Sequence, residues 1–196
     1  ILVAAVGNDS AGRGVAQQLS DLGIAPQLVI AEDRMTTVKS RFVCGSQQML
    51  RVDREKTASL IVDLENELLN KVQEAMPSAD VVVLSDYKKG VLSDGVVKKI
   101  MALAKAKGKP VIVDPKGHDF SRYSGADFIT PNRKELETAT GMKALTNDDV
   151  RAAAMKLISS CGISTVLATR SKDGMSIVSQ NDEPVHIPAN VREVYD

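Results

Sequence analysis

An α/β fold with a largely parallel sheet is what this sequence predicts, on three observations. Short apolar runs of the buried-strand type recur at Val81-Val82-Val83-Leu84, Val111-Ile112-Val113, Phe128-Ile129-Thr130 and Ser164–Thr169. Amphipathic stretches of helical period lie between them. No internal repeat or low-complexity linker breaks the alternation, so one principal domain is expected over residues 1–196.

The elements follow in order. Residues 1–6 read as a buried strand, and the turn Gly7-Asn8-Asp9-Ser10 leads into a helix reaching about Leu22, where Gly23 supplies the stop. A short strand begins at Val29–Ile30. Residues 36–44 and 47–53 mix β-branched, polar and apolar side chains around Gly45-Ser46, which predicts an exposed hairpin projecting from the main sheet. Thr57 is the expected cap of a long helix carrying Leu60, Ile61, Leu64, Leu68 and Val72, ended by Pro77. A helix from Ser93 to about Lys107 ends at Gly108, and a short one from Asn132 to Thr140 stops at Gly141. Asn147 is the expected cap of the next helix, with Val150, Ala154, Leu157 and Ile158 on its apolar face. Residues 175–188 complete the pattern as a hairpin turning at Gln180-Asn181-Asp182.

Composition removes several function classes. Twenty-five basic and 25 acidic residues give a formal net charge of zero, and only 3% of the chain is aromatic. That leaves neither the basic face nor the stacking platform a nucleic acid requires. No apolar run approaches the ~20 residues of a membrane helix. The expected partners are small molecules, with no nucleic acid and no membrane. Cys44 and Cys161 lie far apart and are expected to be buried, reduced thiols of a cytoplasmic protein. The chain opens on Ile1 without an initiator Met and closes on Glu193-Val194-Tyr195-Asp196, so both ends are expected to be cut from something longer.

Ligands of open parallel sheets sit at the carboxyl ends of the strands. Those ends read Ser85-Asp86-Tyr87-Lys88-Lys89-Gly90, Asp114-Pro115-Lys116-Gly117, Pro131-Asn132-Arg133-Lys134-Glu135 and Thr169-Arg170-Ser171-Lys172-Asp173-Gly174. Cations converging with amides and a few carboxylates suit phosphate and magnesium better than acyl transfer. Gly7-x4-Gly12 has the setting of a phosphate loop, but Arg13-Gly14 stands where Lys and Ser or Thr are needed. Gly12-x-Gly14-x-x-Gln17 likewise lacks the third glycine of a dinucleotide fingerprint. Both are read as a tight strand-to-helix turn. His118 and His186 are read as surface residues, and no G-x-S-x-G elbow offers a hydrolase nucleophile.

In order and spacing, these strand ends resemble the ribokinase-like (PfkB) sugar kinases, and within them the heptose 7-phosphate kinase domains of bifunctional heptose kinase/adenylyltransferases. The resemblance covers the whole chain and implies a ribokinase-like α/β fold in which the 36–53 hairpin is a small β lid that also pairs a homodimer. It implies ATP and Mg2+ as cofactors. The reaction implied is phosphorylation of D-glycero-β-D-manno-heptose 7-phosphate at O1, within ADP-heptose synthesis for lipopolysaccharide. By the same resemblance Asn132 and Glu135 lie beside the magnesium-bound phosphates, holding the metal through water, with Arg133 and Lys134 in the same nucleotide segment. Thr169, Arg170 and Gly174 occupy the family's nucleotide-contacting turn, usually Thr-x-Gly-x-x-Gly, with Ser171 replacing its first glycine. Lys116 and Lys89 are candidates for phosphate oxygens, and Asp86 for a sugar hydroxyl or for orienting Lys89.

The family's catalytic base is the Asp of a Gly-Ala-Gly-Asp motif that these 196 residues do not contain. It is expected beyond Asp196, and the family's N-terminal Gly-Gly sugar motif is absent too. Losing base and anion hole together removes the main sources of phosphoryl-transfer catalysis, so these residues alone are expected to be inactive. Two other readings stay open: a non-catalytic relic that binds nucleotide or sugar phosphate, and a related kinase for another sugar.

Overall fold

A computed structural model describes residues 1–190, and the Glu193–Asp196 ending lies outside the described residues. The described residues divide into two compact units, one of residues 1–77 and 89–96, the other of residues 78–88 and 97–190.

In the first unit, β1 (Leu2–Gly7) pairs in parallel with β2 (Pro26–Ala31) through the helix α1 (Ser10–Asp21). The glycine-containing turn between β1 and α1 holds a carboxylate of its own. Asp9 caps α1, its Oδ1 accepting from Gly12 N–H at 2.8 Å and its Oδ2 from Thr36 N–H at 2.8 Å. The Thr36 hydroxyl donates to Asp9 and accepts from Gly7 N–H at 2.9 Å. Amides that would cradle a phosphate are therefore satisfied internally, as the tight-turn reading requires. A Cβ at Gly7 would lie 2.5 Å from the Arg34 carbonyl oxygen, so the close approach demands glycine.

The predicted hairpin forms as β3 (Val38–Cys44) and β4 (Gln47–Arg54), antiparallel and paired with each other, with a bulge between Phe42 and Val43. Register opposes Ser40 to Val52 and Phe42 to Leu50, giving an apolar face. The alternate pairs, Lys39 with Asp53 and Arg41 with Arg51, give a charged one. Phe42, Leu50 and Val52 are exposed on that apolar face. Cys44 at the hairpin tip is exposed and Cys161 partly so, correcting the expectation that both are buried; both are free thiols. Tip residues beside Gly45 have no second layer to cover them.

Helix α2 (Val62–Ala75) packs on β1 and β2. It starts later than expected, at an Ile61 N-cap without a side-chain bond, so Thr57 does not cap it. Residues before it are held extended by partners distant in sequence. Leu60 N–H donates to the Gly90 carbonyl at 3.1 Å and Arg34 Nη2 to the Ala58 carbonyl at 2.6 Å. Leu60 is buried by that arrangement although it lies outside the helix.

The second unit carries a six-stranded sheet in the order β10-β9-β8-β7-β6-β5. Its strands are β5 (Val82–Ser85), β6 (Val111–Asp114), β7 (Phe128–Ile129), β8 (Thr165–Thr169), β9 (Met175–Ser179) and β10 (Val185–Ile187). Strands β5 to β8 are parallel, and β9 and β10 add antiparallel neighbours as the terminal hairpin. Three helices connect them: α3 (Asp94–Ala106), α4 (Arg133–Thr140) and α5 (Asn147–Cys161). Across the sheet Leu84, Val113, Ile129, Val166 and Val178 align in one buried row, each such side chain contributing about 1.5–3 kcal/mol. The alternate row is more open, with Val83 60% and Phe128 41% exposed. Those two runs are thus not buried on both faces among the described residues, as their composition predicts. Helix α5 packs against β8 and β9. Its cap is Thr146 rather than Asn147: Thr146 Oγ1 accepts from Asp149 N–H and Asp149 reaches back to Thr146 N–H, a reciprocal capping box.

Candidate active site

The parallel strands of the second unit deliver their carboxyl ends to one edge, and the expected motifs stand there. Thr169 N–H donates to the Pro131 carbonyl at 2.9 Å and Thr169 bridges Asn132, so the end of β8 lies beside the start of α4. An open pocket of about 680 Å3 occupies this place. Asn132, Arg133, Lys134, Thr169, Arg170 and Gly174 line it. Ser171 and Met175 continue the turn on one side, and the remaining wall, Ile187 to Asn190, was missed by sequence reasoning because no motif marks it.

Each lining residue has a definite local role. Asn132 caps α4, its Oδ1 accepting from Glu135 N–H at 3.0 Å while Glu135 Oε2 accepts from Asn132 N–H at 3.0 Å. Gly141 ends the same helix in the left-handed conformation. The Arg133 guanidinium pairs with Asp173, whose carboxyl it holds below the usual carboxylate range, and also meets the Arg170 carbonyl at 3.4 Å. Arg170 is 7% exposed and its side chain is spent inside the protein, on Asn147 Oδ1 at 2.5 Å and Ser176 Oγ at 3.2 Å. Lys134 is exposed. In the turn that follows β8, Arg170 N–H donates to the Gly174 carbonyl at 2.7 Å. Ser171 there has φ 55°, a left-handed backbone that glycine adopts more readily, and Gly174 has φ 82°.

Glu135 lies outside the pocket lining and belongs to a second cluster with Lys116. Lys116 Nζ donates to Glu135 Oε1 at 2.8 Å, and that bond raises the lysine's proton affinity. Asp114 lies nearby; burial first, then the Glu135 charge, push its carboxyl above the ordinary value. Asp86 is 4% exposed and enclosed by donors: Tyr123 Oη at 2.7 Å, Lys88 N–H at 2.7 Å and Arg122 Nη1 at 3.3 Å. Tyr123, fully buried, also accepts a long 3.5 Å bond from Lys116 N–H. Neither Tyr123 nor Arg122 was legible as a site residue, since no spacing singles them out. Lys89 is placed elsewhere: in the first unit its Nζ is bound to Glu55, whose carboxyl this contact holds below the usual range.

No group of three or more His, Cys, Asp or Glu side chains arranged for a metal occurs among the described residues. Asp114 and Glu135 nevertheless suit magnesium, which keeps most of its waters and takes one or two carboxylates together with substrate phosphates. His118 and His186 are both exposed, and His186 Nδ1 meets Ser176 Oγ at 2.8 Å.

A carboxylate pair, a half-exposed lysine and a half-apolar pocket at a helix start suit phosphoryl transfer to a small polar acceptor, the chemistry of a carbohydrate kinase. The pfkB family carbohydrate kinase model matches residues 1–196, and the chain belongs to that family. It is 46% identical over 195 residues to the bifunctional protein HldE of Paramagnetospirillum magneticum, covering 99% of this chain and 40% of that protein. To the bifunctional protein HldE of Rhodospirillum rubrum it is 45% identical, covering 99% of this chain and 39% of that one. The chain thus spans about two fifths of the length of these relatives. Among solved structures, Arabidopsis thaliana ribokinase complexed with ribose and ATP superposes with a TM-score of 0.75 at 20% identity, over 98% of this chain and 62% of that one. Escherichia coli phosphofructokinase-2 with fructose-6-phosphate gives 0.74 at 20% identity, over 97% and 63%. The fold is ribokinase-like. No helix among the described residues is long and apolar enough to cross a membrane.

Proposed function

We propose that this chain is the kinase portion of a heptose-phosphate kinase, transferring the terminal phosphoryl group of ATP to O1 of D-glycero-β-D-manno-heptose 7-phosphate. The observation that carries this is the pocket at the β8–α4 junction, lined by six of the seven residues named from sequence for the nucleotide: Asn132, Arg133, Lys134, Thr169, Arg170 and Gly174. The resemblance of the strand-end motifs supplies the sugar class.

In this reading the apolar wall at Met175 and Ile187 receives the base, and Arg133 and Lys134 face the phosphates. Arg170 acts from behind, fixing the turn's shape through Asn147 and Ser176. Glu135 and Asn132, with Asp114 close by, hold magnesium through its waters; when bound, the ion neutralises phosphate charge. Lys116 serves a phosphate oxygen. Asp86 is occupied by Tyr123, Lys88 N–H and Arg122, so its contribution is to hold the ends of the strands rather than to bind a sugar hydroxyl. Lys89, tied to Glu55, sits at the foot of the hairpin, which acts as lid and as the contact of a cytoplasmic homodimer.

The base is the Asp of the Gly-Ala-Gly-Asp motif, which these 196 residues lack, so they bind nucleotide without turning over. Calorimetry with Mg-ATP and an ADP-release assay with the heptose phosphate test this together. The expected result is micromolar-range binding by this chain, with ADP release only from a polypeptide that includes the motif. Absence of nucleotide binding overturns the reading. Binding without release from the longer polypeptide overturns the choice of sugar.

A further inference from the structure

Lys116 stands where a divalent cation would be drawn. The ends of β5 and β6 and the first turn of α4 bring Asp86, Asp114 and Glu135 to one region of the second unit. Asp86 is compensated by Tyr123, Arg122 and the Lys88 N–H. Glu135 has one oxygen, Oε2, engaged by Asn132 N–H, and the other, Oε1, engaged by the Lys116 ammonium at 2.8 Å. The two ends of Lys116 differ in freedom. Its backbone N–H points at the buried Tyr123 hydroxyl, while its side chain is 52% exposed on a flexible four-carbon stem.

We infer that Lys116 is an internal substitute for the divalent cation. It neutralises Glu135 while no nucleotide is present, and it yields that carboxylate when the metal–nucleotide arrives, its ammonium turning to pair with a phosphate oxygen. The inference rests on the nucleotide reading above. The exchange has a physical driving force, because a divalent ion brings twice the charge to the carboxylate and the phosphates give the released ammonium charge-assisted partners. It also explains a lysine placed on the very carboxylate the metal needs: without it, the Glu135 charge that raises Asp114 would lose the cation that balances it.

Mn2+, followed by its paramagnetic signal, probes the first half without nucleotide. Removing a half-exposed competitor of this kind is expected to tighten Mn2+ two- to about fivefold, the range of such an ion pair. Lys116→Met and Lys116→Gln should both show it, whereas Lys143→Met, an exposed lysine of equal charge, should not. Adding Glu135→Gln to Lys116→Met should remove the gain. In calorimetry with Mg-ATP the same Lys116 variants should bind several-fold more weakly than the unaltered chain. Unchanged Mn2+ affinity in both Lys116 variants, a gain that survives Glu135→Gln, or an equal gain in Lys143→Met overturns the inference. So does undiminished Mg-ATP binding by the Lys116 variants. If the unaltered chain binds no Mg-ATP, the nucleotide reading fails instead, and the Mn2+ comparison still decides the lysine–metal competition by itself.

Discussion

The Tyr123 hydroxyl donates to Asp86 Oδ2 at 2.7 Å, and neither side chain is more than 4% exposed. Tyr123→Phe leaves a buried carboxylate short of one donor and should cost about 1–3 kcal/mol in urea unfolding. Burial, then the Asp86 hydrogen bond, raise the tyrosine's proton affinity above its ordinary value of 10.0. A raised folded-state value means the contribution is complete below that ordinary value and is lost as pH rises through the folded one. The alkaline fall in stability should therefore be shallower in Tyr123→Phe. An identical alkaline limb in both proteins would contradict this.

Ser171 carries a left-handed backbone at φ 55°. Ser171→Gly relieves strain of about 1 kcal/mol, partly offset by the freedom glycine gains in the unfolded chain, so a net gain of about 0.5 kcal/mol is expected. Gly174→Ala acts the other way. Its Cβ would run into the Ile187 carbonyl and lie 2.6 Å from Ala189 N, so a loss of about 2 kcal/mol or more is expected. Thermal melts of the two variants should shift in opposite directions.

Thr146 and Asn147 are adjacent yet have separable duties. Thr146→Ala removes a helix cap and should cost about 1 kcal/mol, with nucleotide binding retained. Asn147→Ala takes the acceptor from Arg170 at the pocket and should weaken nucleotide binding more than it weakens folding. The Thr146 N–H holds the Asp149 carboxyl below its ordinary value of 3.8. A depressed folded-state value gives stability that is present above that value and lost as pH falls through the lower one. Thr146→Ala keeps that backbone donor, so the acid limb should flatten in Asp149→Asn, which removes the titrating carboxyl, and far less in Thr146→Ala.

The apolar face of the hairpin sets a prediction about assembly. Phe42, Leu50 and Val52 are 55%, 55% and 42% exposed and aligned by register. Sedimentation should detect self-association that Phe42→Asp abolishes while circular dichroism stays unchanged. A monomer at all concentrations before substitution would remove the hairpin from the role of dimer contact.

Strand positions were legible because apolar runs of four or five residues between turn signals have few other uses, and Val111-Ile112-Val113 is found within a residue of its expected bounds. Helix starts were less so. Thr57 has the chemistry of a cap, but bonds from Leu60 to Gly90 and from Arg34 to Ala58 hold that stretch extended, and no local pattern encodes partners so distant in sequence. At the candidate site Asn132, Arg133 and Lys134 share one pocket lining with Thr169, Arg170 and Ser171, while Glu135 lies outside it. What stayed hidden was the company each charge keeps. Lys89 belongs to Glu55, and Asp86 belongs to Tyr123. Those pairings are decided by tertiary packing, not by spacing along the chain.

Strand β7 is only two residues long, yet it joins β6 to β8 at the middle of the sheet. Both of its pairings are parallel and need long crossovers, so neither forms from neighbours in sequence. The β3–β4 hairpin, by contrast, closes over a two-residue turn and can assemble within ~1–10 μs. Folding should therefore be timed by the arrival of Phe128 and Ile129 at their seam, with the hairpin formed long before.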